Sequence, residues 1–518
     1  MEFNAKKRLL SIVAASSLGL FSTNVSALTL QESVGEVLNT NPVVVERLKN
    51  YRTTQQDLKI AESEYYPRLD LKAMTGYNDA GELKKNRVAD IDYRNYETAL
   101  TLTQNIFDGF GTMHKVDYQE ARILAAGYHY IETANDMTFK MTNAYLNVLR
   151  AYELLQVSLE NVQIIESLYD KVNILYEGGY TTDSEVQKIK SALSLANSNL
   201  TVQKHNTLDA EKAYRRILGR LPEIENMTKP VIDMQMPESI ERAAMIAIKN
   251  NPSIMVSHYN IEGAQALHKQ RKKEYYPKID FELSQHYNDV SKLNNGFDQP
   301  DDRLKARLIM TFNLYKGGAD SADVQKHLST IHQEVEIQRD LQRQVIESLD
   351  FSWNAYEMIQ LQLKDLKEYK GFAEKTLELY KEEYDMGRRT LLDLLSAQGD
   401  VINAKIEIIQ ADYEYLFAHY RILDAMGLLV QKLTNNDSFL TNNVNINTGK
   451  KAHFIEDTLP INYDVDGDKI PDSVDLCNNS LPNKSIMPHG CQQDDMNSIQ
   501  AVKTLNSKTT LNTKKEGN

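Results

Sequence analysis

The sequence predicts a mainly helical chain with a small β component, written as two copies of one structural half. Gly and Pro are scarce, 22 and 12 in 518 residues or about 7%, against about 12% in average proteins. These residues punctuate turns, so a chain poor in them must contain long uninterrupted elements. Motifs also return at a fixed displacement. Asn41-Pro42 recurs as Asn251-Pro252, Tyr65-Tyr66-Pro67 as Tyr275-Tyr276-Pro277, and Tyr77-Asn78-Asp79 as Tyr287-Asn288-Asp289, each 210 residues on. Asn105-Ile106-Phe107-Asp108-Gly109 then matches Asn313-Leu314-Tyr315-Lys316-Gly317 at 208, as Gly179 matches Gly387 and Gly219 matches Gly427. Such a period is too long for a stacked solenoid; it reads as duplication of a whole half.

The N-terminus reads as an export signal. Lys6, Lys7 and Arg8 precede an apolar run from Leu9 to Phe21, and Val25-Ser26-Ala27 fits a signal-peptidase site. The expected signal peptide is therefore 1–27. Its apolar run is shorter than the roughly 20 residues a spanning helix needs, and no Cys follows to carry a lipid anchor.

The first half is placed at 28–225. A helical stretch of about 30–65 ends at Pro67, because Pro cannot continue a helical ladder and favours an extended residue before it. Strands follow at about 68–78 and 95–107, with Leu69, Leu71 and Ala73 alternating with Asp70, Lys72 and Met74. Polar residues Asn78 to Arg94 are expected as a long loop between them. From 111 to 177 apolar positions recur every seven: Met141, Val148, Leu155, Val162, Tyr169 and Tyr176, with Tyr145, Tyr152 and Leu159 as companions. That is a coiled-coil seam, on a helix about 100 Å long. A shorter helix, about 184–218, follows.

The second half, 226–433, repeats this order. Helix is expected at about 239–275, ending at Pro277, with strands at about 278–288 and 303–315 around a loop from Asn288 to Arg303. The long helix 318–384 keeps the seam at Leu349, Tyr356, Leu363, Leu377 and Tyr384 but carries Lys370 at one slot. Another helix, about 391–428, closes the half. The shorter helices can lie end to end beside the long ones. Pro67 and Pro277 stand at helix-to-strand swivels, and Tyr65, Tyr66, Tyr275 and Tyr276 sit where an interfacial aromatic belt belongs.

Strand runs of about ten residues with one apolar and one polar face suit a tilted membrane strand. Two hairpins on a soluble core share that period. Four strands cannot close a barrel, however, and open edges are not viable in lipid. A membrane reading therefore requires several protomers sharing one barrel. The formal charge of −13 argues against nucleic acid or an anionic lipid surface as partner. No Gly-x-x-x-x-Gly-Lys-Ser/Thr, His-Glu-x-x-His or Gly-x-Ser-x-Gly motif occurs, so no enzyme is indicated.

Signal peptide, duplicated halves, Tyr-Tyr-Pro before a strand, Phe-Asp-Gly or Tyr-Lys-Gly-Gly after one, and two helices of about 67 residues together resemble the TolC family of outer-membrane channel proteins, over about residues 28–430. The resemblance implies a homotrimer, each chain giving four strands to a twelve-stranded β-barrel and its helices to an α-barrel tube crossing the periplasm. It further implies a passive duct working with a periplasmic adaptor and an inner-membrane ATP-driven transporter. The sequence looks most like the type I secretion branch, which exports large adhesins or toxins; a multidrug efflux channel is the alternative. Outside the family, a non-transporting coiled-coil surface fibre is the competing reading. Tyr384-Asp385-Met386-Gly387-Arg388-Arg389-Thr390-Leu391-Leu392-Asp393 matches the family's Tyr-x-x-Gly-x-Arg-(Ser/Thr)-x-x-Asp. By that likeness Tyr384 and Arg389 belong to a closed-state latch, with Glu185 as its acidic partner, and Asp393 lines the constriction. Ser396 stands where a second constriction acid occurs in the family's best-known member.

The tail divides into a linker (434–459), an acidic segment (460–492) and a disordered end (493–518). Asp464, Asp466, Asp468, Asp472 and Asp475 occupy positions 1, 3, 5, 9 and 12 of a calcium loop, with the Ile470 carbonyl at position 7. This resembles a thrombospondin type 3 repeat, although Lys469 replaces the usual Gly and Asp475 the usual Glu. Ca2+ is the expected ligand. Cys477 and Cys491, the chain's two cysteines, are placed to form a disulfide in an oxidising periplasm.

Overall fold

A computed structural model describes residues 29–434, apart from 85–86, 233–235 and 293–302, together with Asn443 and Val444. The expected signal peptide, the calcium-type loop Asp464 to Asp475, Cys477, Cys491 and the tail after them lie outside the described residues. Helices α1 (Leu30–Thr40) and α2 (Pro42–Glu62) lead into strands β1 (Arg68–Lys84) and β2 (Arg87–Phe107). Helices α3 (Gly111–Glu177) and α4 (Asp183–Leu218) complete the first half. The order then returns as α5 (Ile240–Asn250), α6 (Pro252–Arg271), β3 (Lys278–Lys292), β4 (Arg303–Thr311), α7 (Ala319–Asp385) and α8 (Leu391–Ala425), and α9 (Leu429–Thr434) follows. Helices α3 and α7 have 67 residues each, about 100 Å at 1.5 Å per residue.

Where the sequence pattern suggested single helices over 30–65 and 239–275, each is broken at its Asn-Pro pair. Asn41 is extended (φ −66°, ψ 126°), as the residue before Pro prefers. Its Oδ1 accepts from the Val43 N–H at 2.9 Å, capping α2, while its Nδ2 donates to the Ile217 carbonyl at 2.8 Å. Asn251 repeats both bonds, with the Ser253 N–H at 3.0 Å and the Ala425 carbonyl at 3.1 Å. Those carbonyls end α4 and α8. The two asparagines therefore tie the start of α2 to the end of α4, and the start of α6 to the end of α8. At the second junction Gly427 has φ +70°, and a Cβ there would lie 2.6 Å from the Asn250 carbonyl oxygen. Only glycine lets the chain leaving α8 approach so closely.

After α2 and α6 a single 3-10 turn ends in Tyr66 and Tyr276, both extended, ahead of Pro67 and Pro277. The return from β2 to α3 passes through Gly109 and Phe110, at φ +68° and +67°; the second copy has Gly317 and Gly318 there. Phe110 is unusual in this conformation. Its ring packs edge-to-face on Phe107 at 5.4 Å and on Tyr276 at 6.0 Å, contacts that offset its backbone strain.

The strands form one antiparallel sheet in the order β1-β2-β3-β4. Four strand ends differ from expectation. β1 and β2 stay paired out to Lys84 and Arg87, so most of the stretch from Asn78 to Arg94 is ladder rather than loop, and β3 runs on to Lys292. Backbone pairing sustains a hairpin beyond the stretch where apolar residues alternate, even through polar residues. β4 stops at Thr311, short of 315, because its last partner is Lys278, the first residue of β3. Register puts Leu69, Leu102, Leu283 and Ala306 in one row across the sheet. Leu71, Leu304 and Leu308 on that face are 72%, 70% and 71% exposed, whereas Ala99 and Ser284 on the opposite, polar face are 5% and 1% exposed. The sheet therefore curls around its polar side.

The main core lies at mid-height, where Tyr130, Met141, Tyr145 and Val148 of α3 meet α1, α5, the end of α8 and α9. The expected seam is buried at Met141, Tyr145, Val148, Val162, Leu349 and Leu363, but Tyr152 and Tyr176 are exposed. Val444, within the stretch expected as linker, is fully buried in this core, and the Asn443 amide donates to the Tyr130 hydroxyl at 3.2 Å. Asn443 and Val444 are thus docked on the helices.

Candidate channel mouth

The hairpins α3–α4 and α7–α8 turn at equivalent glycines, Gly179 (φ +76°) and Gly387 (φ +73°), where left-handed backbone ends a helix cheaply. A second apolar cluster binds the two ends together. Val162, Ile165 and Val172 of α3 and Val186 and Ile189 of α4 pack with Leu391, Leu395 and Tyr384 of the other hairpin.

Charges trim this apolar plug. The Lys171 ammonium on α3 donates to Asp385 at the end of α7 and stands 5.8 Å over the Tyr384 ring. Burial pushes the Tyr384 hydroxyl above its ordinary pKa, and the negative charges of Glu185 and Asp385 push it further. Glu185 accepts a hydrogen bond from the Thr181 hydroxyl within its own turn. Tyr384 and Glu185 therefore share one neighbourhood.

Arg389 faces elsewhere within the chain. Its Nε donates to Glu383 Oε2 at 2.6 Å, and its guanidinium lies 4.1 Å over the Tyr380 ring. Among the described residues no hydrogen bond or ion pair joins Arg389 to Tyr384 or Glu185. Asp393 sits in the first turn of α8 in a capping box with Thr390. The Thr390 hydroxyl donates to Asp393 Oδ2 at 2.8 Å and its N–H at 3.3 Å, while the Asp393 N–H donates to the Thr390 hydroxyl at 3.2 Å. These bonds, the hydroxyl's first, hold the carboxyl below the ordinary aspartate range, and Arg389 adds to the effect. Asp393 is thus a fixed anion at neutral pH, next to the exposed Ser396. Sequence reasoning missed Lys171, Asp385, Glu383 and Tyr380. Glu383 and Tyr380 lie within ten residues of Arg389 and could have been considered; the Lys171–Asp385 pair spans 214 positions, and no local pattern announces it.

Among the described residues no helix is long and apolar enough to cross a membrane, and no three His, Cys, Asp or Glu side chains gather as a metal site. Long paired helices with a charged turn at one end and a sheet with one apolar, exposed face at the other define an outer-membrane channel protein. Residues 34–220 and 244–428 each match the family model described as Outer membrane efflux protein, and the chain belongs to that family. Its place is the bacterial outer membrane and the adjoining periplasm, and its work is not enzymatic. It is similar to the outer membrane efflux protein BepC of Brucella suis, 24% identical over 414 residues, covering 78% of this chain and 87% of that one. TolC of Escherichia coli is 24% identical over 414 residues, covering 77% and 82%. The proteases secretion protein PrtF of Dickeya chrysanthemi is 19% identical over 360 residues, covering 67% and 77%. Among solved structures, the Campylobacter jejuni CmeC outer membrane channel superposes with a TM-score of 0.68 at 16% identity, covering 86% of this chain and 98% of that one.

Proposed function

We propose that three copies of the chain form a passive duct of a type I secretion system, through which a large protein such as an adhesin or toxin crosses the periplasm and outer membrane. The carrying observation is a sheet with an apolar outer face and two edges, β1 and β4, that no other strand among the described residues covers. Open edges are not viable in hydrocarbon, and four strands are too few to enclose an interior. Other copies must supply the pairing, and three give twelve strands. Helix α7 supports the same reading: Phe351, Met358, Phe372 and Leu379 lie exposed at multiples of seven residues, the stripe a further coiled-coil helix would cover.

In this reading an adaptor and an inner-membrane ATP-driven transporter supply the energy. Tyr384, Arg389 and Glu185 latch the mouth, with Arg389 reaching its latch partner across a protomer boundary. Three Asp393 carboxylates ring the axis, and Pro67 and Pro277 mark the swivel between tube and barrel. In the tail, the loop Asp464 to Asp475 takes up Ca2+ and Cys477–Cys491 closes the segment after it. The name of PrtF, a proteases secretion protein, favours protein export; that of BepC, an outer membrane efflux protein, fits the alternative, the outer channel of an efflux pump.

The purified protein is expected to have three times the 59.2 kDa chain mass, less the signal peptides, and to conduct in planar bilayers. Phe372→Glu, 74% exposed in the single chain, should leave helicity intact and yield monomers. Deleting the gene should remove a large protein from the medium or cell surface without changing drug susceptibility. The opposite outcome would move the assignment to efflux, and a monomeric, non-conducting wild type would sink the duct altogether.

A further inference from the structure

The helices form a layer four across, and its two margins are unlike. Toward the mouth the lateral order is α4, α3, α8, α7, and toward the sheet it is α2, α3, α6, α7. Helix α7 is therefore a margin along its whole length. The opposite margin is α4 with α2 continuing beyond it, joined where Asn41 meets the Ile217 carbonyl. The exposed heptad stripe of α7 extends from Phe351 back to Ile337, and in that stretch it carries two exposed acids, Asp340 and Glu347. Asp340 accepts from the Gln344 amide of its own helix at 2.6 Å. On α4, opposite the buried Ala196, Leu200 and Thr207, runs a second exposed stripe with Leu195 and Val202, then Asp209, Lys212 and Arg216. Lys212 has Asp209 at 3.7 Å, whereas among the described residues neither Arg216 nor Glu347 enters an ion pair.

Heights on the two margins can be matched through the helices between them. Tyr356 of α7 stacks on Tyr415 of α8 at 5.0 Å, the Tyr413 hydroxyl donates to Glu153 of α3 at 2.6 Å, and the Thr207 hydroxyl of α4 donates to the Ala151 carbonyl at 3.3 Å. Tyr356 and Thr207 thus mark one level. Glu347 and Arg216 each lie nine residues from it toward the sheet, about 14 Å along their helices. Met358 and Val202 lie just on the mouth side of it.

The geometry points to a head-to-tail seam between copies of this chain, in which the α7 margin of one protomer docks on the α4 margin of the next and Glu347 faces Arg216 across it. The inference rests on the multi-copy duct proposed above and names the contact that closes it. Two α7 margins meeting about a two-fold axis, with both sheets in one membrane, would set Glu347 against Glu347 and leave both β1 edges bare. Head-to-tail contact covers β1 with β4 and α4 with α7 together, and it repeats until the ring closes. The apolar part of the seam tolerates sliding by a heptad. A slip of one heptad toward the mouth would bring Glu347 to Asp209, and facing like charges oppose association. The charged end therefore fixes the register that the apolar stripe leaves open, as polar positions do in coiled coils.

The test uses charge variants of the purified full-length protein in detergent, with oligomer mass followed on dilution. Glu347→Lys and Arg216→Glu each set like charges across the seam, and the concentration at half dissociation should rise about tenfold or more in either. The two changes in one chain restore opposite charges, and that concentration should return most of the way to the wild-type value. High salt should narrow the gap between the single variants and the wild type. Both residues are exposed in the single chain, so circular dichroism should be unchanged in every variant. Single variants that assemble like the wild type, or a combined variant no better than the worse single one, would overturn the seam and leave the duct standing. A wild type that is monomeric throughout would instead remove the duct, and the seam with it.

Discussion

At the scale of single residues, Asn41 and Asn251 do more than mark a repeat. Each is nearly buried, at 5% and 8% exposure, and each uses both ends of its carboxamide, one to start a helix and one to close the carbonyl end of another. Replacing Asn251 by Ala removes a helix cap, worth about 1 kcal/mol. It also leaves the buried Ala425 carbonyl without its donor, a further cost of about 1–3 kcal/mol. Asn251→Ala should therefore lower the stability of the helical region by about 2–4 kcal/mol, read from urea unfolding followed by circular dichroism in detergent. Asn251→Asp keeps the cap acceptor and loses the donor, and should fall between; equal losses for the two variants would show that the cap contributes nothing. The sequence showed the Asn-Pro pairs as a repeat. That they break a helix follows from proline chemistry, but their reach to Ile217 and Ala425 spans 176 and 174 positions and has no local signature. The same holds for Lys171 and Asp385, whereas the Thr390–Asp393 capping box was open to reading from its spacing alone.

At the scale of elements, the end of α8 carries two titrating groups pushed in opposite directions. His419 is 1% exposed with neither ring nitrogen hydrogen-bonded, and burial lowers its pKa to about 4. Five residues on, burial raises Asp424 to about 7, the charge of Asp136 on α3 adds to the shift and Arg421 opposes it. The signs follow from linkage. Asp424 binds its proton more tightly folded than unfolded, so its contribution is fully present below its ordinary value and is lost as pH rises through about 7. His419 is held neutral in the fold, so its contribution is present above its ordinary value and is lost as pH falls through about 4. Between these limits the two slopes oppose, and the thermal midpoint of the wild type should change little from pH 4.5 to 6.5. Asp424→Asn leaves His419 alone. Its midpoint should climb over that interval and exceed the wild type's at pH 8, on the scale of a few kcal/mol. Parallel profiles for the two proteins, followed by circular dichroism, would refute the assignment. The element boundaries themselves were largely legible, because 67-residue heptad runs and proline positions leave little choice. The strand ends were not, since hairpin pairing past the apolar band writes no hydrophobic pattern.

At the scale of the whole molecule, the expectation of other copies comes from the strand count and the cost of an open edge in lipid. The mouth was legible only as a motif, because its state depends on how two hairpins are tied to each other. Two contacts within the chain bear on that, one between the hairpins and one inside the second. Lys171 joins α3 to the end of α7 through Asp385, and Arg389 braces the α7–α8 turn through Glu383 and the Tyr380 ring. Exposed ion pairs of this kind add little to folding stability, so their loss should leave the tube intact. They do set the position of the turn that carries Asp393, and three such turns would meet around one axis. In the proposed duct, opening the mouth would take the α7–α8 hairpin away from α3 against the apolar cluster of Val172, Ile189 and Leu391. Lys171→Ala should therefore raise the small closed-state conductance, Arg389→Ser should raise it only by loosening the turn, and the two changes together should raise it most. Oligomer stability and thermal midpoint should stay near wild type in all three variants. Single-channel recording reads the difference directly: conductance unchanged from wild type would show that these contacts are ordinary surface pairs and that the mouth is held by its apolar cluster alone.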